Sequence, residues 1–349
     1  IGPENPSDYL DAVDKHGVPV NVGMLIPHES LRANVGENEK YKHAKPENIK
    51  KMKNLATDFL AKGALGLSFG VRYVPGTTED ELHAICSTVK SEQKIIASHI
   101  RDDAAYVFDA AREFIDIGKQ FDVPVQISHI GSMAAFGQMN EFLSLIDSYR
   151  VSGVDVWCDC YPYNAFSTGI GETTYDKGFL QRYNTTYDKI EIAEGKYKGR
   201  RATKAIFDEL RREAPETITI AHLMNNAEIE QAILHPGVII ASDGFMHNIE
   251  GHPRASGTFP RALHSYVTAG RRISLFEMIE KMTWLPAQRL NINKGNLSVG
   301  SDADIVIFDS KYIKDNATFE SPAIPPDGIG YVLIKGKIAA KNNEIIQNN

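Results

Sequence analysis

Cysteine, long apolar runs and excess positive charge are all scarce in this 349-residue chain. Three cysteines cannot form a disulfide framework, and so few are typical of a reducing compartment. No apolar run approaches 18 residues, so the sequence predicts no membrane-spanning helix. A net charge of −7 without a basic stripe argues against nucleic-acid binding. We therefore expect a cytoplasmic protein that binds neither membranes nor nucleic acids.

The cysteines also carry little evidence for a metal site. Cys86 falls in a predicted helix, and Cys158 and Cys160 fall on one predicted strand. Structural zinc sites usually show a repeated C-x₂₋₄-C pattern with further partners, which this chain lacks. We expect all three to be small buried residues.

Strand patterns and helix patterns alternate along the chain. Near-continuous apolar runs, typical of parallel strands covered on both faces, occur at 18–27, 64–71, 94–100, 123–130, 154–161, 217–223 and 238–244. One helical pattern between them begins at Pro46 and stops before Gly63. This order predicts an α/β fold of the (β/α)₈ TIM-barrel type. A doubly wound open sheet is the alternative, but no glycine-rich phosphate loop supports it.

Two regions depart from that alternation. Residues 164–215 are rich in glycine, threonine, tyrosine and charge, and we expect an insertion or lid within a barrel of residues 1–290. Residues 291–349 read as short strands and turns, which predicts part of a small β-sandwich appendage. The chain opens at Ile1 on a segment that resembles the middle of a domain, so we expect a fragment without the first barrel strands.

Two predicted strands end in histidine and read almost alike, IIASHIRDD with His99 and VQISHIGSM with His129. Their spacing of 30 residues suits one helix and its loops, which places the strand ends side by side at one rim. Converging imidazoles predict a site for one or two divalent metal ions, by default zinc, with manganese or iron also compatible. Catalytic zinc normally has three protein ligands, so at least one further ligand is expected.

A carboxylate, Asp243, ends the apolar run VIIASDG. It could ligate the metal, act as a general base, or cap a turn, since Ser-Asp-Gly is also common turn chemistry. At the same rim as two histidines, the general-base interpretation is favoured.

Several longer segments resemble the N-acyl-D-amino-acid deacylases (D-aminoacylases) of the amidohydrolase superfamily. They run in the family's order from about residue 18 to 345 and include GALGLSFGVRYVPG, ASHIRDD, PVQISHIGS, DCYPYNAFST, SDGFMHNIEGHPRASGTFPRAL, MTWLPAQRL and KGNLSVGSDADIVIFD. The resemblance implies a metal-dependent hydrolase that cleaves the linear amide bond of N-acyl-D-amino acids or related D-peptidyl compounds. A small-molecule N-acyl amino acid substrate follows, and monomers and oligomers are both compatible with the sequence.

The resemblance also implies roles for particular residues. His99 and His129 match the histidine ligands of the fifth and sixth strands. Asp243 matches the acid after the eighth strand, which takes a proton from the attacking water and passes it to the leaving amine. Arg254, in His-Pro-Arg, matches an arginine that holds the substrate α-carboxylate.

Other matching positions have no assigned part in bond cleavage. Tyr161 and Ser167, in YPYNAFS, match substrate-contacting positions, and Tyr73 matches a third with looser spacing. His28 and His247 match family histidines to which we assign no role.

The chain also departs from the family pattern. The family's first-strand His-x-His pair and second-strand cysteine ligand have no counterpart here, and we expect them upstream of Ile1. Gly131 stands where deacylases typically carry a lysine that helps to bind the carboxylate. Two alternatives stay open. One is a cyclic amidohydrolase such as a hydantoinase or dihydroorotase, although ALGLSFGV lacks the usual fourth-strand lysine, and the other is a truncated barrel without catalysis.

Overall fold

A computed structural model describes residues 6–90 and 94–346 of the chain. Its strands are β1 (Leu25–Pro27), β2 (Gly66–Gly70), β3 (Ile95–His99), β4 (Val125–Ile127), β5 (Val156–Cys160), β6 (Phe166–Gly169), β7 (Ile190–Ile192), β8 (Ile218–Ala221), β9 (Val238–Ile240), β10 (Met246–His247), β11 (Glu250–Gly251), β12 (Ile305–Phe308), β13 (Ile329–Ile334), β14 (Lys337–Lys341) and β15 (Glu344–Ile345).

The α-helices of the same residues are α1 (Pro6–His16), α2 (His28–Asn34), α3 (Pro46–Ala61), α4 (Glu79–Cys86), α5 (Val107–Phe121), α6 (Ile130–Ala134), α7 (Met139–Val151), α8 (Phe179–Arg182), α9 (Lys204–Glu213), α10 (Asn226–Leu234), α11 (Arg254–Ala262), α12 (Leu275–Met282) and α13 (Trp284–Arg289). A π-helical segment, Leu263–Thr268, continues directly from α11. Short 3₁₀ turns lie at Ala104–Tyr106, Thr173–Tyr175, Tyr187–Lys189 and Gly195–Tyr197.

Six strands form one parallel sheet in the order β1-β2-β3-β4-β5-β9. Helices connect these strands along the chain, as the parallel arrangement requires. The predicted α/β barrel fold is confirmed in its class. Because the strands are parallel, their carboxyl ends share one rim, which is where side chains from separate strands can meet.

The helices that cover this sheet follow from their apolar spacing. In α3, Pro46 occupies the first turn and Met52, Ala56, Phe59 and Leu60 are buried, a spacing that gives one apolar face. In α5, Gly118 allows close approach to the sheet, because a Cβ there would lie 2.0 Å from Val125 Cγ2. A larger residue at position 118 would require the Val125 side chain or the helix to shift.

One run that was predicted to be a parallel barrel strand is an antiparallel strand of another sheet. The run 217–223 forms β8, but β8 pairs antiparallel with β6 and β7 in a separate sheet ordered β6-β8-β7. Residues 164–215 therefore contribute two strands, β6 and β7, to this second sheet. All four residues of β8 are buried, so its apolar pattern resembles that of a barrel strand although its neighbours differ.

The strands are shorter than the apolar runs that predicted them. The run 18–27 becomes strand only at Leu25–Pro27, and the run 123–130 only at Val125–Ile127. Asp243 likewise lies three residues beyond the end of β9 at Ile240.

The last strands form a four-stranded antiparallel sheet in the order β12-β13-β14-β15. Residues between its strands reach back to the barrel, where Asp315 lies 3.0 Å from Arg261 of α11. A division into residues 1–290 and 291–349 stays our proposal. Nowhere in residues 6–90 and 94–346 is there a helix with the length and apolar character needed to cross a membrane.

Candidate metal and substrate site

The two strand-end histidines meet at the rim of the parallel sheet. Their ring centroids lie 4.6 Å apart with planes inclined by 69°. His99 is the last residue of β3, and its Nε2 atom is shielded from solvent without a hydrogen-bond partner among the described residues. Burial, reinforced by the neighbouring His129, holds the pKa of His99 well below its ordinary value. His99 is therefore a neutral imidazole with an unused ring nitrogen.

His129 reaches the same point through an unusual backbone conformation. It lies two residues past β4 with φ of 39° and ψ of 53°, in the left-handed region that non-glycine residues rarely adopt. Its Nδ1 atom is 2.9 Å from the Ser132 hydroxyl. Strain of this kind persists only where surrounding contacts hold the residue in place.

A buried carboxylate supplies those contacts. Asp159, on β5, accepts the His129 backbone N–H at 2.7 Å with Oδ1 and the Gln126 side-chain N–H at 2.9 Å with Oδ2. Burial raises the pKa of Asp159, although His129 acts in the opposite direction. Asp159 is not among the site residues predicted from the sequence. The signal was an acidic side chain inside the apolar strand VWCDC, since a buried charge needs partners.

Asp243 and Arg254 pair with each other. Arg254 Nη2 lies 3.0 Å from Asp243 Oδ2, and the carboxylate side chain is 39% exposed whereas the guanidinium side chain is 5% exposed. Asp243 has φ of 46°, so the turn after β9 holds it in a left-handed conformation. Burial opposes the charged form of Arg254, but Asp243, Tyr161 and Tyr73 together outweigh it and raise the pKa of the guanidinium. A candidate proton carrier and a candidate anion site are thus adjacent.

The three predicted substrate-contact residues surround this pair. The Tyr161 ring is fully buried, and the Arg254 guanidinium lies 4.6 Å from its centroid. Ser167, on β6, accepts a hydrogen bond from Arg254 Nη2 through its backbone carbonyl at 3.4 Å. Tyr73 stacks edge-on against His99 with centroids 4.7 Å apart. Burial raises the pKa of both tyrosines, so both are neutral hydroxyls.

The insertion is fastened to the loop that follows His99. Asp103 is buried and accepts a hydrogen bond from the Tyr183 hydroxyl at 2.6 Å, with Arg182 Nε 2.7 Å away. The Thr173 hydroxyl also donates to the backbone carbonyl of Arg72, in the loop after β2, at 2.6 Å. Residues 164–215 are therefore tied to the rim that carries the candidate site.

The two other histidines named in the sequence analysis, His28 and His247, pair with glutamates. His28 is buried in an ion-pair cluster, with Nε2 2.8 Å from Glu81 Oε1. His247 is largely exposed and pairs with Glu194. The three cysteines Cys86, Cys158 and Cys160 are free and buried. Throughout the described ranges, no three or more His, Cys, Asp and Glu side chains cluster in a way that could hold a metal ion.

Comparison with known proteins decides the family. A sequence model of the Amidohydrolase family matches residues 3–339. The chain belongs to the amidohydrolase family. A D-aminoacylase of Alcaligenes xylosoxydans xylosoxydans is 33% identical over an alignment of 351 residues, gaps included. The alignment covers 95% of this chain and 70% of that protein.

Solved structures agree with this assignment. A D-aminoacylase crystal structure superposes with a TM-score of 0.88 at 30% identity, covering 98% of this chain and 73% of that one. An N-acyl-D-glutamate deacylase from Bordetella bronchiseptica, complexed with zinc and a phosphonate inhibitor, gives a TM-score of 0.86 at 28% identity. That match covers 96% of this chain and 73% of that one.

Gly131, where the family resemblance led us to expect a lysine, lies close to the candidate site. Gly131 lies on α6 two residues after His129, and a Cβ there would lie 2.7 Å from Ile229 Cδ1 and 3.2 Å from Cys160 Sγ. The space next to Gly131 is thus filled by an isoleucine methyl group and a thiol. No cation projects into the site from this position.

The donor set fits a divalent metal in part. His99 offers a neutral imidazole nitrogen that has no other partner among the described residues, and His129 is beside it. Neutral imidazole is a good ligand for zinc and similar ions. Two histidines are fewer than the three protein ligands of a usual catalytic zinc site.

Proposed function

We propose that this amidohydrolase is a metal-dependent hydrolase of linear amide bonds in N-acyl-D-amino acids or related D-peptidyl compounds. One observation carries the proposal: the unpartnered His99 nitrogen, the His129 ring and the Asp243–Arg254 pair occupy one rim of the parallel sheet. The D-aminoacylase and N-acyl-D-glutamate deacylase similarities support this substrate class.

In this proposal His99 and His129 hold one or two divalent ions, with zinc as the expected metal. Such an ion supplies Lewis acidity, which polarises the amide carbonyl and acidifies the attacking water. The zinc in the related N-acyl-D-glutamate deacylase structure supports that identity. Asp159 and Ser132 keep His129 in the orientation that points its ring toward His99.

Asp243 is the proposed general base and acid. It accepts a proton from the attacking water and then delivers it to the leaving amine, so that the free amino acid departs. Its carboxylate follows β9, is partly exposed and lies next to the Arg254 guanidinium, where a bound substrate can reach it.

Arg254 is the proposed carboxylate site. Its guanidinium is buried over the Tyr161 ring, and the planar fork can bind a carboxylate through two parallel hydrogen bonds. Ser167 and Tyr73 complete the proposed substrate contacts. Holding the carboxylate fixes the amide with respect to the reacting groups, which lowers the entropic part of the barrier.

Cyclic amides are less well supported as substrates. The fourth-strand lysine expected of hydantoinases and dihydroorotases has no counterpart, because β2 reads GLSFG.

A substrate panel tests the proposal on the purified full-length enzyme. N-acetyl-D-amino acids, their L-enantiomers and hydantoins are compared by release of the free amino acid or ring-opened product. We expect metal-dependent release from the D-compounds. Equal turnover of both enantiomers, or turnover of hydantoins alone, would overturn the proposal.

A further inference from the structure

His252 connects two chain segments that carry candidate site residues. It is fully buried, with Nδ1 3.0 Å from the backbone nitrogen of Arg254 and Nε2 3.0 Å from the carbonyl oxygen of Ala165. The N–H must donate and the carbonyl must accept, so the ring carries its proton on Nε2 and accepts at Nδ1. Burial, together with the charge of Arg254, lowers the pKa of His252 well below its ordinary value, in keeping with a neutral ring.

The first contact fixes the backbone from which Arg254 projects. Arg254 is the first residue of α11, and the first N–H groups of a helix have no partner within the helix. Pro253, in the capping position, makes no side-chain capping hydrogen bond. The His252 ring supplies the missing acceptor.

The second contact links the Arg254 backbone, through the His252 ring, to the insertion. Ala165 lies two residues before Ser167, whose carbonyl accepts a hydrogen bond from Arg254 Nη2 at 3.4 Å. The backbone of Arg254 is therefore tied through His252 to the same short stretch that its guanidinium contacts directly. The backbone and the guanidinium of Arg254 are both held by residues 165–167, and this restricts rotation of the Arg254 side chain.

Aromatic rings hold the imidazole in its plane. Tyr163 packs edge-on with centroids 5.1 Å apart at 90°, and Phe319 packs on it at 5.0 Å and 80°. Rotation of the ring would break both edge contacts and both hydrogen bonds.

We propose that His252 is a positioning residue that sets the orientation of the Arg254 guanidinium and thereby determines the preference for substrates with a carboxylate. The inference rests on the proposed function, in which Arg254 binds that carboxylate. His252 itself contacts neither substrate nor metal in this account.

Two substitutions separate the two contacts. His252→Gln places an amide N–H near Ala165 but removes the acceptor for the Arg254 N–H, whereas His252→Asn keeps an acceptor near Nδ1 and gives up Ala165. The matched control is His235→Asn, because His235 Nδ1 also accepts the N–H of a residue two positions later, Gly237, away from the site.

Each variant is assayed on an N-acetyl-D-amino acid and on the same compound with its carboxylate converted to a primary amide. We expect His252→Gln to raise KM for the acid about tenfold, while kcat/KM for the neutral amide changes by less than about threefold. His252→Asn should show a smaller rise in KM, and His235→Asn none. Equal losses on acid and amide would overturn the inference.

A double-mutant cycle with Arg254→Ala distinguishes positioning from general destabilisation. If His252 acts through Arg254, His252→Gln should not reduce the preference for the acid any further once Arg254 is alanine. Additive losses would overturn the inference and leave the proposed function standing. If Arg254→Ala alone leaves the acid preference unchanged, the proposed carboxylate site fails, and the inference fails with it.

Nuclear magnetic resonance measures the protonation of the His252 ring in the unmodified protein, so this test does not depend on whether a variant folds. In the full-length protein labelled with ¹⁵N at histidine, His252 should show a neutral ring protonated at Nε2 near neutral pH. A charged ring, or a proton on Nδ1, would overturn the inference.

Discussion

Replacing Asp159 by asparagine should weaken metal binding without dismantling the barrel. The carboxylate now accepts one hydrogen bond on each oxygen, from the His129 backbone at 2.7 Å and from the Gln126 side chain at 2.9 Å. Asparagine has a single acceptor oxygen, so its amide group must face one of these two donors. If its amide nitrogen faces His129, the hydrogen bond from His129 is lost, and if its oxygen faces His129, that bond loses its charged acceptor and is weaker.

The size of the effect follows from two opposing terms. Holding a non-glycine residue such as His129 in the left-handed region costs roughly 1–2 kcal/mol, and a hydrogen bond to a charged acceptor contributes about 1.5–3 kcal/mol. The hydrogen bond from His129 to Asp159 is thus large enough to offset the strain, and its loss lets the backbone relax. Removal of a buried charge offsets part of the lost stability. We expect metal affinity to fall roughly 10–100-fold, the usual cost of losing a residue that orients a ligand.

The assay is competition for zinc against a chelator of known affinity, with chemical unfolding measured in parallel. Asp155→Asn is the control, because Asp155 lies just before β5 with a half-exposed side chain paired to Arg289. The control should bind metal like the unmodified protein. Unchanged metal affinity in Asp159→Asn would refute the role of this carboxylate.

Two further predictions concern catalysis and acid stability. Asp243→Asn should keep its metal but lose at least about 100-fold in kcat, the range for removing a general base; single-turnover kinetics at full metal occupancy that show no loss would exclude it from proton transfer. Glu81→Gln should lower the free energy of unfolding by about 3–5 kcal/mol, because it strands Arg32 in a buried cluster. Burial disfavours the charged form of Glu81, but His28 and Arg32 outweigh it and lower its pKa below 4.5. The stability difference between the unmodified protein and Glu81→Gln should therefore be full above about pH 4.5 and shrink as pH falls through the lowered pKa. Denaturant melts across pH 3–7 that show a constant difference would contradict this assignment.

The sequence predicted the fold class because parallel strands carry a distinctive apolar signature. That signature reports burial on both faces and not the identity of the neighbouring strands. β8 illustrates the limit, since Ile218–Ala221 is buried throughout yet pairs antiparallel with strands of the insertion. Only the three-dimensional path of residues 164–215 decides that pairing.

The part of the candidate site that could be predicted consists of residues whose type indicates their chemical role. Histidines at matching strand ends indicated where a metal would lie, and the structure brings His99 and His129 together. Asp159 and His252 were missed because they act through backbone atoms of other residues, and sequence does not record which carbonyl or N–H a side chain will reach. The pairing of Asp243 with Arg254 depends likewise on the turn between β9 and α11.

Metal content of histidine variants tests the account most directly. The full-length protein, His99→Asn, His129→Asn and the control His83→Asn, whose partly exposed ring packs against Phe121, are purified, dialysed against buffer with trace zinc, and analysed by mass spectrometry for bound metal. We predict that the unmodified protein and His83→Asn retain a divalent ion, whereas His99→Asn and His129→Asn lose most of it together with amide hydrolysis. Full metal occupancy and activity in either site variant would contradict the central claim that these two histidines form the metal centre.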